Sequence, residues 1–272
     1  MVFRTDLALE NTDPGKHVVR EENGCKITSI EEKGNTYVTL EVKSISDHID
    51  SDNSLLTLTA RELSKLMPEE GSALVAGLGN RDITPDALGP LTADRIMATR
   101  HIRGELARVT GLEGLRPVSV VSPGVLGSTG IEAFELLKAL VKEMKPDFVI
   151  AIDALAARSP SRLGCTVQLC SAGISPGAGV GNSRPRIDES TLGVPVISMG
   201  IPTVVDAATL ASDLLDGDTE GQEEKIAPRG AQMMVTPREI DLIISRGARV
   251  LGMGINVALN PTMTIADFED LT

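Results

Sequence analysis

The sequence predicts an α/β fold with a mainly parallel central sheet flanked by helices. Two continuous apolar runs, Ala73–Leu78 and Phe148–Ile152, have the character of strands that are covered on both faces. Helical patterns alternate with these and other short apolar runs, which is typical of βαβ units. The chain of 272 residues is long enough for one large domain, and we expect that domain to cover residues 7–272.

The N-terminal part carries a different pattern, which predicts a small β subdomain over residues 25–43. Cys25–Ile30 and Thr36–Val42 have strand character, and Lys33–Asn35 between them predicts the turn of a hairpin. We expect this hairpin to pack on one side of the main sheet. Residues 1–24 are polar and charged, so we expect them to be mobile or to lie on the surface.

The elements of the main body follow in chain order. Apolar spacing predicts further strands at Val118–Ser122, Thr166–Leu169 and Val194–Met199. It predicts helices at Leu55–Met67, at about Asp86–Val109, from the glycine-rich loop that ends at Glu132 to about Met144, and from Thr236 to Leu259. The stretch Ser171–Leu192 is predicted as a long loop. Its glycines lack both the Lys-Ser/Thr of a phosphate-binding loop and the spacing of a dinucleotide site, so we do not predict a nucleotide there.

Composition restricts the partners and the compartment. The net charge of −12 argues against nucleic acid as a direct partner and is compatible with a basic or extended protein partner. Three cysteines are too few and too scattered for a disulfide framework, which favours a reducing compartment. No apolar run approaches the ~20 residues that span a bilayer, and no signal peptide is evident. We therefore expect a cytoplasmic protein without membrane contact.

Two aspartates follow the two buried strands. Asp86 comes just after Thr84-Pro85, which predicts a helix start, and Asp153 comes directly after Phe148–Ile152. Ligand and catalytic groups of open α/β sheets gather beyond the carboxyl ends of strands, so these carboxylates could face one crevice. Each also has a simpler structural explanation. Asp86 could stabilise a helix dipole, and Asp153 could cap a helix over Ala154–Arg158.

Other common catalytic patterns are missing from the sequence. The three histidines are far apart, no H-E-x-x-H or G-x-S-x-G motif occurs, and no cysteine has a nucleophile signature. What remains near predicted strand ends is a set of carboxylates: Asp86, Glu132, Asp153 and Asp206. Paired carboxylates can share a proton and activate water, or they can hold a hard metal ion. These residues alone leave both possibilities open.

Six segments resemble the germination protease family of endospore-forming bacteria, in the family's order and through most of the chain. They are GLGNRDITPDALGP (Gly77–Pro90), RPVSVVSPGVLGSTGIE (Arg116–Glu132), KPDFVIAIDALAARS (Lys145–Ser159), GISPGAGVGN (Gly173–Asn182), LGVPVISMGIPTVVDA (Leu192–Ala207) and MVTPREID (Met234–Asp241).

The resemblance implies an aspartate-dependent endopeptidase that initiates degradation of small acid-soluble spore proteins during germination, cleaving after an acidic and before an apolar residue. It implies a self-processing zymogen, a homotetramer, and a location in the cytoplasm of the forespore and in the spore core. The implied catalytic residues are Asp86 and Asp153, with no cofactor required, although a metal ion at this pair is left open. Four further residues in the matching motifs are candidates for substrate binding or support: Asn80, Glu132, Arg158 and Asp206.

The N-terminal sequence Arg4-Thr5-Asp6-Leu7-Ala8 resembles the family's cleavage pattern. It predicts self-cleavage between Asp6 and Leu7, which would make residues 1–6 a propeptide. The alternative is a tail that carries Asp-Leu by chance. One departure from the family is the short connection Ser212–Gln232, where members of the family carry a longer segment.

Two other functions remain as alternatives. Hydrogenase maturation endopeptidases resemble this chain in the strand–GxGN–loop–acid–helix opening, and Asp86 and Asp153 would then help to recognise nickel. The absence of histidine from Ile174–Thr272 weighs against that metal-dependent alternative. A non-enzymatic alternative is a module that binds basic spore proteins.

Overall fold

The protein, seen in a computed structural model that describes residues 5–47, 53–180, 184–214 and 233–271, is built on one sheet of nine strands. The strands are β1 (His17–Glu22), β2 (Cys25–Glu32), β3 (Asn35–Glu41), β4 (Ala73–Gly77), β5 (Val118–Val121), β6 (Phe148–Ala157), β7 (Thr166–Cys170), β8 (Val196–Asp206) and β9 (Met234–Val235). The helices are α1 (Ala8–Asn11), α2 (Ser54–Ser64), α3 (Leu88–Ala93), α4 (Glu105–Thr110), α5 (Leu126–Thr129), α6 (Ala133–Met144), α7 (Glu189–Leu192), α8 (Ala207–Leu214), α9 (Ile240–Leu259) and α10 (Ile265–Leu271).

The strand order is β1-β2-β3-β7-β8-β6-β4-β5, and β9 pairs with β8. The central strands β8, β6, β4 and β5 are mutually parallel, as the α/β prediction requires. Every residue of β4 is buried, which confirms the sequence pattern of a strand covered on both faces. The last paired residue of β4, Gly77, lies opposite Ile152 in β6, so the carboxyl end of β4 meets the middle of β6.

The predicted hairpin is confirmed as β2 and β3. Lys33 and Gly34 have φ values of 52° and 79°, the left-handed conformation that a two-residue hairpin turn needs. Its position differs from the expectation of a subdomain beside the sheet, because β3 pairs antiparallel with β7 and so extends the main sheet. Strand β1 then adds to β2 at the outer edge.

Most of residues 5–24 are exposed or partly exposed, as expected for a segment on the surface. The expectation is wrong for Leu7 and Ala8, which are buried, and β1 is part of the main sheet. Leu7 is 0% exposed and packs against Leu155 and Ala157 of β6. The sequence around Leu7 did not predict this burial, because the residues that pack against Leu7 are about 150 positions away in the chain.

The predicted long helix Asp86–Val109 is also wrong, since α3 and α4 are short and separate. The backbone N–H groups of Thr99 and Arg100 both donate to the carbonyl of Val118, at 3.0 Å each, and cannot then serve a helix. Gly104, with φ of 56°, precedes α4. Pairing with the residues at the start of β5 therefore overrides the helical propensity of this stretch.

Strand β6 continues through Asp153 to Ala157 instead of giving way to a helix over Ala154–Arg158. The reason is its partner β8, which pairs with it as far as Ala157 opposite Val205, with a register shift between Leu155 and Ala156. The Ala-rich sequence favours a helix locally, but pairing with β8 makes these residues a strand. Strand β8 likewise runs beyond the predicted end at Met199.

Alternate residues of the central strands face two separate apolar layers. On one side Val75 and Ile150 pack with residues of α2 and α9, including Leu63 and Leu251. On the other side Leu74 and Val149 pack with Leu137 and Val141 of α6. Helix α9 is long and apolar enough to cross a bilayer, but 72% of its most apolar window is buried inside the fold, so core packing accounts for its composition.

Candidate active site

Asp86 lies above the carboxyl end of β4, on a single 3₁₀ turn over Thr84–Asp86. Its Oδ2 accepts a hydrogen bond of 2.8 Å from the backbone N–H of Asn80. Gly79 makes this turn possible, since it has φ of 109° and a Cβ there would lie 2.1 Å from the carbonyl oxygen of Asp86. The glycine-containing turn after β4 thus brings Asp86 back over the end of its own strand.

Asp153 lies inside β6, one residue beyond the last residue that pairs with β4. It is 7% exposed, and its Oδ1 accepts a hydrogen bond of 2.9 Å from the N–H of Ala154. Burial raises the pKa of Asp153 well above its ordinary value, and the negative charges of Asp86 and Asp6 raise it further. The simpler explanation of Asp153 as a helix cap is wrong, because the residue is within a strand.

The two aspartates line one cleft of about 450 Å³, together with Glu132 and Asp206. The cleft lies where the chain leaves β4 toward β5 on one side and later returns to β6 on the other. Such a switch in strand order is where open α/β sheets bind their ligands. Burial also raises the pKa of Asp86, whereas the Asn80 N–H and the positive charge of Arg184 oppose that rise.

Arg184 supplies positive charge to this acidic cleft and had no sequence signal. It lies in the long loop before α7, and its Nη1 is 3.0 Å from Oε2 of Glu132. Its charge favours the ionised forms of both Asp86 and Asp153. Asp206 has a structural task as well, since its Oδ1 accepts hydrogen bonds of 2.9 and 3.1 Å from the N–H and Oγ1 of Thr209 at the start of α8.

Comparison with known proteins assigns the fold and cleft to a family. The family model described as germination protease matches residues 15–217. The chain belongs to the germination protease family. It is therefore a peptidase, and its family places it in spore germination.

Relatives in this family align along nearly the whole chain. Germination protease of Clostridium perfringens (strain 13 / Type A) is 38% identical over 319 aligned positions, covering 98% of this chain and 98% of its own. That of Caldanaerobacter subterraneus subsp. tengcongensis is 39% identical and covers 99% and 98%. That of Bacillus pumilus is 38% identical and covers 95% and 93%. The alignments are longer than this chain of 272 residues, so the relatives carry additional residues.

Among solved structures, the [NiFe] hydrogenase maturation protease HycI from Thermococcus kodakarensis KOD1 is similar over 71% of this chain and 98% of its own. The TM-score is 0.40 and the identity 15%. The family model and the relatives named above do not favour the alternative of a hydrogenase-maturation-type metal-dependent endopeptidase.

In this germination protease family member, the two remaining predicted site residues are placed differently. Asn80 is next to the catalytic candidates and contacts Asp86 through its backbone, while its side chain accepts a 3.0 Å hydrogen bond from the N–H of Asp82. Arg158 follows β6 and is not among the residues that line the cleft. Its N–H donates to Oε2 of Glu10 at 2.7 Å.

Asp6 of the N-terminal segment lines the cleft. The carboxylate of Asp6 accepts hydrogen bonds from the N–H of Ala156 at 2.8 Å and of Gly179 at 3.0 Å. The backbone N–H of Asp6 donates to the carbonyl of Ala156 at 2.9 Å, while Leu7 is fully buried. Burial raises the pKa of Asp6, and the two N–H groups counter this. The sequence singled out Asp6 and Leu7 as a cleavage pattern but gave no indication that they are bound here.

The arrangement can bind a peptide and hold two carboxyl groups near it. Across the described ranges, no group of three or more His, Cys, Asp or Glu side chains is arranged to hold a metal ion. Glu10 adds to the fixation of the N-terminal segment, because its carboxylate accepts from the N–H groups of Arg158 and Ser159 at 2.7 and 2.9 Å.

Proposed function

We propose that this chain is an aspartate-dependent endopeptidase that initiates degradation of small acid-soluble spore proteins, cutting after an acidic and before an apolar residue. The observation that carries the proposal is the position of the Asp6–Leu7 bond. Asp6 lines the cleft that also holds Asp86 and Asp153, its carboxylate is bound by two N–H groups, and the side chain of Leu7 that follows it is buried. The protein's own segment thus lies at the cleft in the manner of a substrate.

The contacts of Asp6 and Leu7 match the two halves of that specificity. Two N–H donors favour an ionised carboxylate over an amide, whose NH₂ group would face them. The side chain of Leu7 packs with Leu155, Ala157 and the partly buried Leu163, an apolar environment that excludes a charged residue. An acidic residue followed by an apolar one is therefore the pair that this site accepts.

The pair of carboxyl groups supplies acid and base. In this proposal Asp153, whose pKa is raised by burial and by the charges of Asp86 and Asp6, is the proton donor. Asp86, whose ionised form is favoured by the Asn80 N–H and by Arg184, takes a proton from water. The water oxygen forms a bond to the carbonyl carbon of the acidic residue. Asp153 then gives its proton to the nitrogen of the apolar residue as the C–N bond breaks. We propose that this step needs no metal.

The same contacts support a self-processing zymogen. While Asp6 and Ala8 hold these contacts, a substrate cannot take their place, and cleavage after Asp6 would release residues 1–6 as a propeptide. Residues 1–4 lie outside the described part of the chain. By family membership we further propose a homotetramer that acts in the cytoplasm of the forespore and in the spore core. The net charge of −12 supports a protein partner over nucleic acid.

The test of this function is incubation of the purified full chain with a small acid-soluble spore protein, with and without chelator, followed by mass measurement of the fragments. We expect cuts only after Glu or Asp, before an apolar residue, at equal rates in both conditions. Loss of the cuts with chelator would replace the metal-free mechanism by a metal-held water. An uncut substrate, with an intact Asp6–Leu7 bond, would overturn the proposed function.

Gly179→Ala should lower kcat/KM for peptides with an acidic residue before the cut by about 10- to 100-fold, since a hydrogen bond to a charged group contributes about 1.5–3 kcal/mol. A Cβ at Gly179 would lie 2.3 Å from Oδ2 of Asp6 and 2.7 Å from Cβ of Ala156, so the 179 N–H must move off the carboxylate. The measurement is the rate for paired Glu and Gln peptides.

The matched control for this prediction is Gly127→Ala, since a Cβ at Gly127 meets no atom within 4 Å. We expect that variant to keep the wild-type preference for Glu over Gln. Unchanged preference in Gly179→Ala as well would show that the acidic residue is recognised elsewhere.

A further inference from the structure

We propose that Gln168 is a catalytic residue that bridges the peptide bond to be cut and polarises its carbonyl group. This inference rests on the function proposed above. The Nε2 of Gln168 donates a hydrogen bond of 2.8 Å to the carbonyl oxygen of Asp6, and its Oε1 accepts one of 2.7 Å from the N–H of Ala8. One side chain therefore contacts the chain on both sides of the Asp6–Leu7 bond.

The orientation of the Gln168 amide follows from its two partners. A backbone carbonyl only accepts and a backbone N–H only donates, so the NH₂ group must face Asp6 and the oxygen must face Ala8. Both contacts are to backbone atoms. Gln168 can therefore hold any peptide in this register, whatever side chains the peptide carries. The N–H groups of Ala156 and Gly179 bind the acidic side chain.

The position of Gln168 in the sheet makes the contact rigid. It lies at the centre of β7, between Thr39 of β3 and Gly200 of β8, and is 7% exposed. Gly200, the neighbour toward the cleft, has no side chain and lies opposite Asp153 in β6. A donor on a buried strand keeps its position while the bound peptide reacts, which is the arrangement that stabilises developing charge most effectively.

The chemical role follows from where charge develops. When the water oxygen bonds to the carbonyl carbon of Asp6, the electron pair of the C=O double bond moves onto the oxygen that Nε2 of Gln168 contacts. The N–H donor stabilises that negative oxygen and releases it as the C–N bond breaks and the carbonyl re-forms. The Oε1 contact to Ala8 fixes the register, so that the bond after the acidic residue is the one presented to Asp86 and Asp153.

The experiment uses the chain after release of residues 1–6, by its own cleavage or, in a variant that does not cut itself, by removal of those residues, so that an added substrate can bind. The substrate is a peptide with the sequence of residues 4–11, RTDLALEN. Gln168→Met, which keeps the size and removes the amide, should lower kcat by about 10²- to 10³-fold, the effect of removing one donor to such an oxygen. KM should rise by a smaller factor, because the contacts to the uncut peptide are lost as well. Thr39→Val is the matched control, because Thr39 faces Gln168 across the sheet and its buried hydroxyl has no hydrogen-bond partner in the part of the chain that the structure describes. It should cut at the wild-type rate.

A second probe tests the register contact by a change in the substrate. Replacing the Leu–Ala peptide bond of RTDLALEN by an ester removes the N–H from which Oε1 of Gln168 accepts a hydrogen bond. In the wild-type protein kcat/KM should fall about three- to tenfold, as for loss of one neutral hydrogen bond. In Gln168→Met the ester and the amide should be cut equally, which a merely structural role of Gln168 would not produce.

The outcomes separate the two levels of the proposal. If wild type cuts the peptide and Gln168→Met cuts it within about threefold of that rate, the role of Gln168 is overturned while the proposed function stands. The same holds if the ester costs both proteins equally. If wild type leaves the peptide and its own Asp6–Leu7 bond intact, the proposed function fails and the assignment of Gln168 fails with it.

Discussion

Asp153→Asn and Asp86→Asn should each lower the rate of peptide cleavage by about 10²- to 10⁴-fold, the usual contribution of a positioned acid or base. Asn has the shape of Asp but can neither give up nor take a proton at neutral pH. The two residues line the same cleft, and the charge of Asp86 raises the pKa of Asp153, so we expect them to act as a pair. The measurement is kcat on the RTDLALEN peptide, with fragment masses to identify the cut.

The control for both variants is Asp82→Asn, which removes an exposed acid from the loop that carries Asp86 without changing the cleft. It should cut at close to the wild-type rate. Cleavage by Asp86→Asn and Asp153→Asn at the wild-type rate would contradict the carboxylate pair. Intact binding of spore protein with no cleavage by wild type would instead favour a non-enzymatic binding module.

The raised pKa of Asp153 also fixes how stability should change with pH. Below the ordinary carboxyl pKa, Asp153 is protonated in both the folded and the unfolded protein, so its ionisation does not change the free energy of unfolding. As pH rises toward the raised native pKa, only the unfolded chain ionises freely, so the wild type loses stability. Asp153→Asn escapes that loss. Its melting temperature, relative to wild type, should therefore be higher at about pH 8 than at about pH 4.

Gly89→Ala should destabilise the protein by about 3 kcal/mol or more, the upper range for forced overpacking, and should abolish cleavage. A Cβ at Gly89 would lie 2.1 Å from the carbonyl oxygen of Leu78 and 2.6 Å from that of Ile152. Backbone atoms of the sheet cannot yield as a flexible side chain can. Helix α3 would move away from the carboxyl ends of β4 and β6, and Asp86 would move with it.

Thermal unfolding and the yield of folded protein measure this effect, with Gly127→Ala as the control for a glycine in open space. A melting temperature of Gly89→Ala within a few degrees of wild type would mean that α3 can shift at little cost. Cleavage retained in that variant would show that the distance between the 3₁₀ turn of Asp86 and β6 is not critical.

The sequence by itself determined the local features. The apolar runs of β4 and β6 predicted buried strands, the hairpin turn at Lys33 and Gly34 followed from turn chemistry, and strand ends drew attention to Asp86 and Asp153. Each of these depends on residues that are neighbours in the chain. The motif order was enough to indicate the germination protease family, which the comparisons confirm.

Only the tertiary structure decided the features that depend on distant partners. Strand β6 continues past Asp153 because β8 pairs with it, and Asp6 lies at the cleft because Ala156, Gly179 and Gln168 form hydrogen bonds with it. Gln168 is a single polar residue in an apolar strand and has no motif. Its partner atoms are backbone groups some 160 residues earlier. Contacts to backbone atoms do not depend on which side chains the partner residues carry, so no sequence motif marks them. The contacts of Gln168 were therefore found only in the fold.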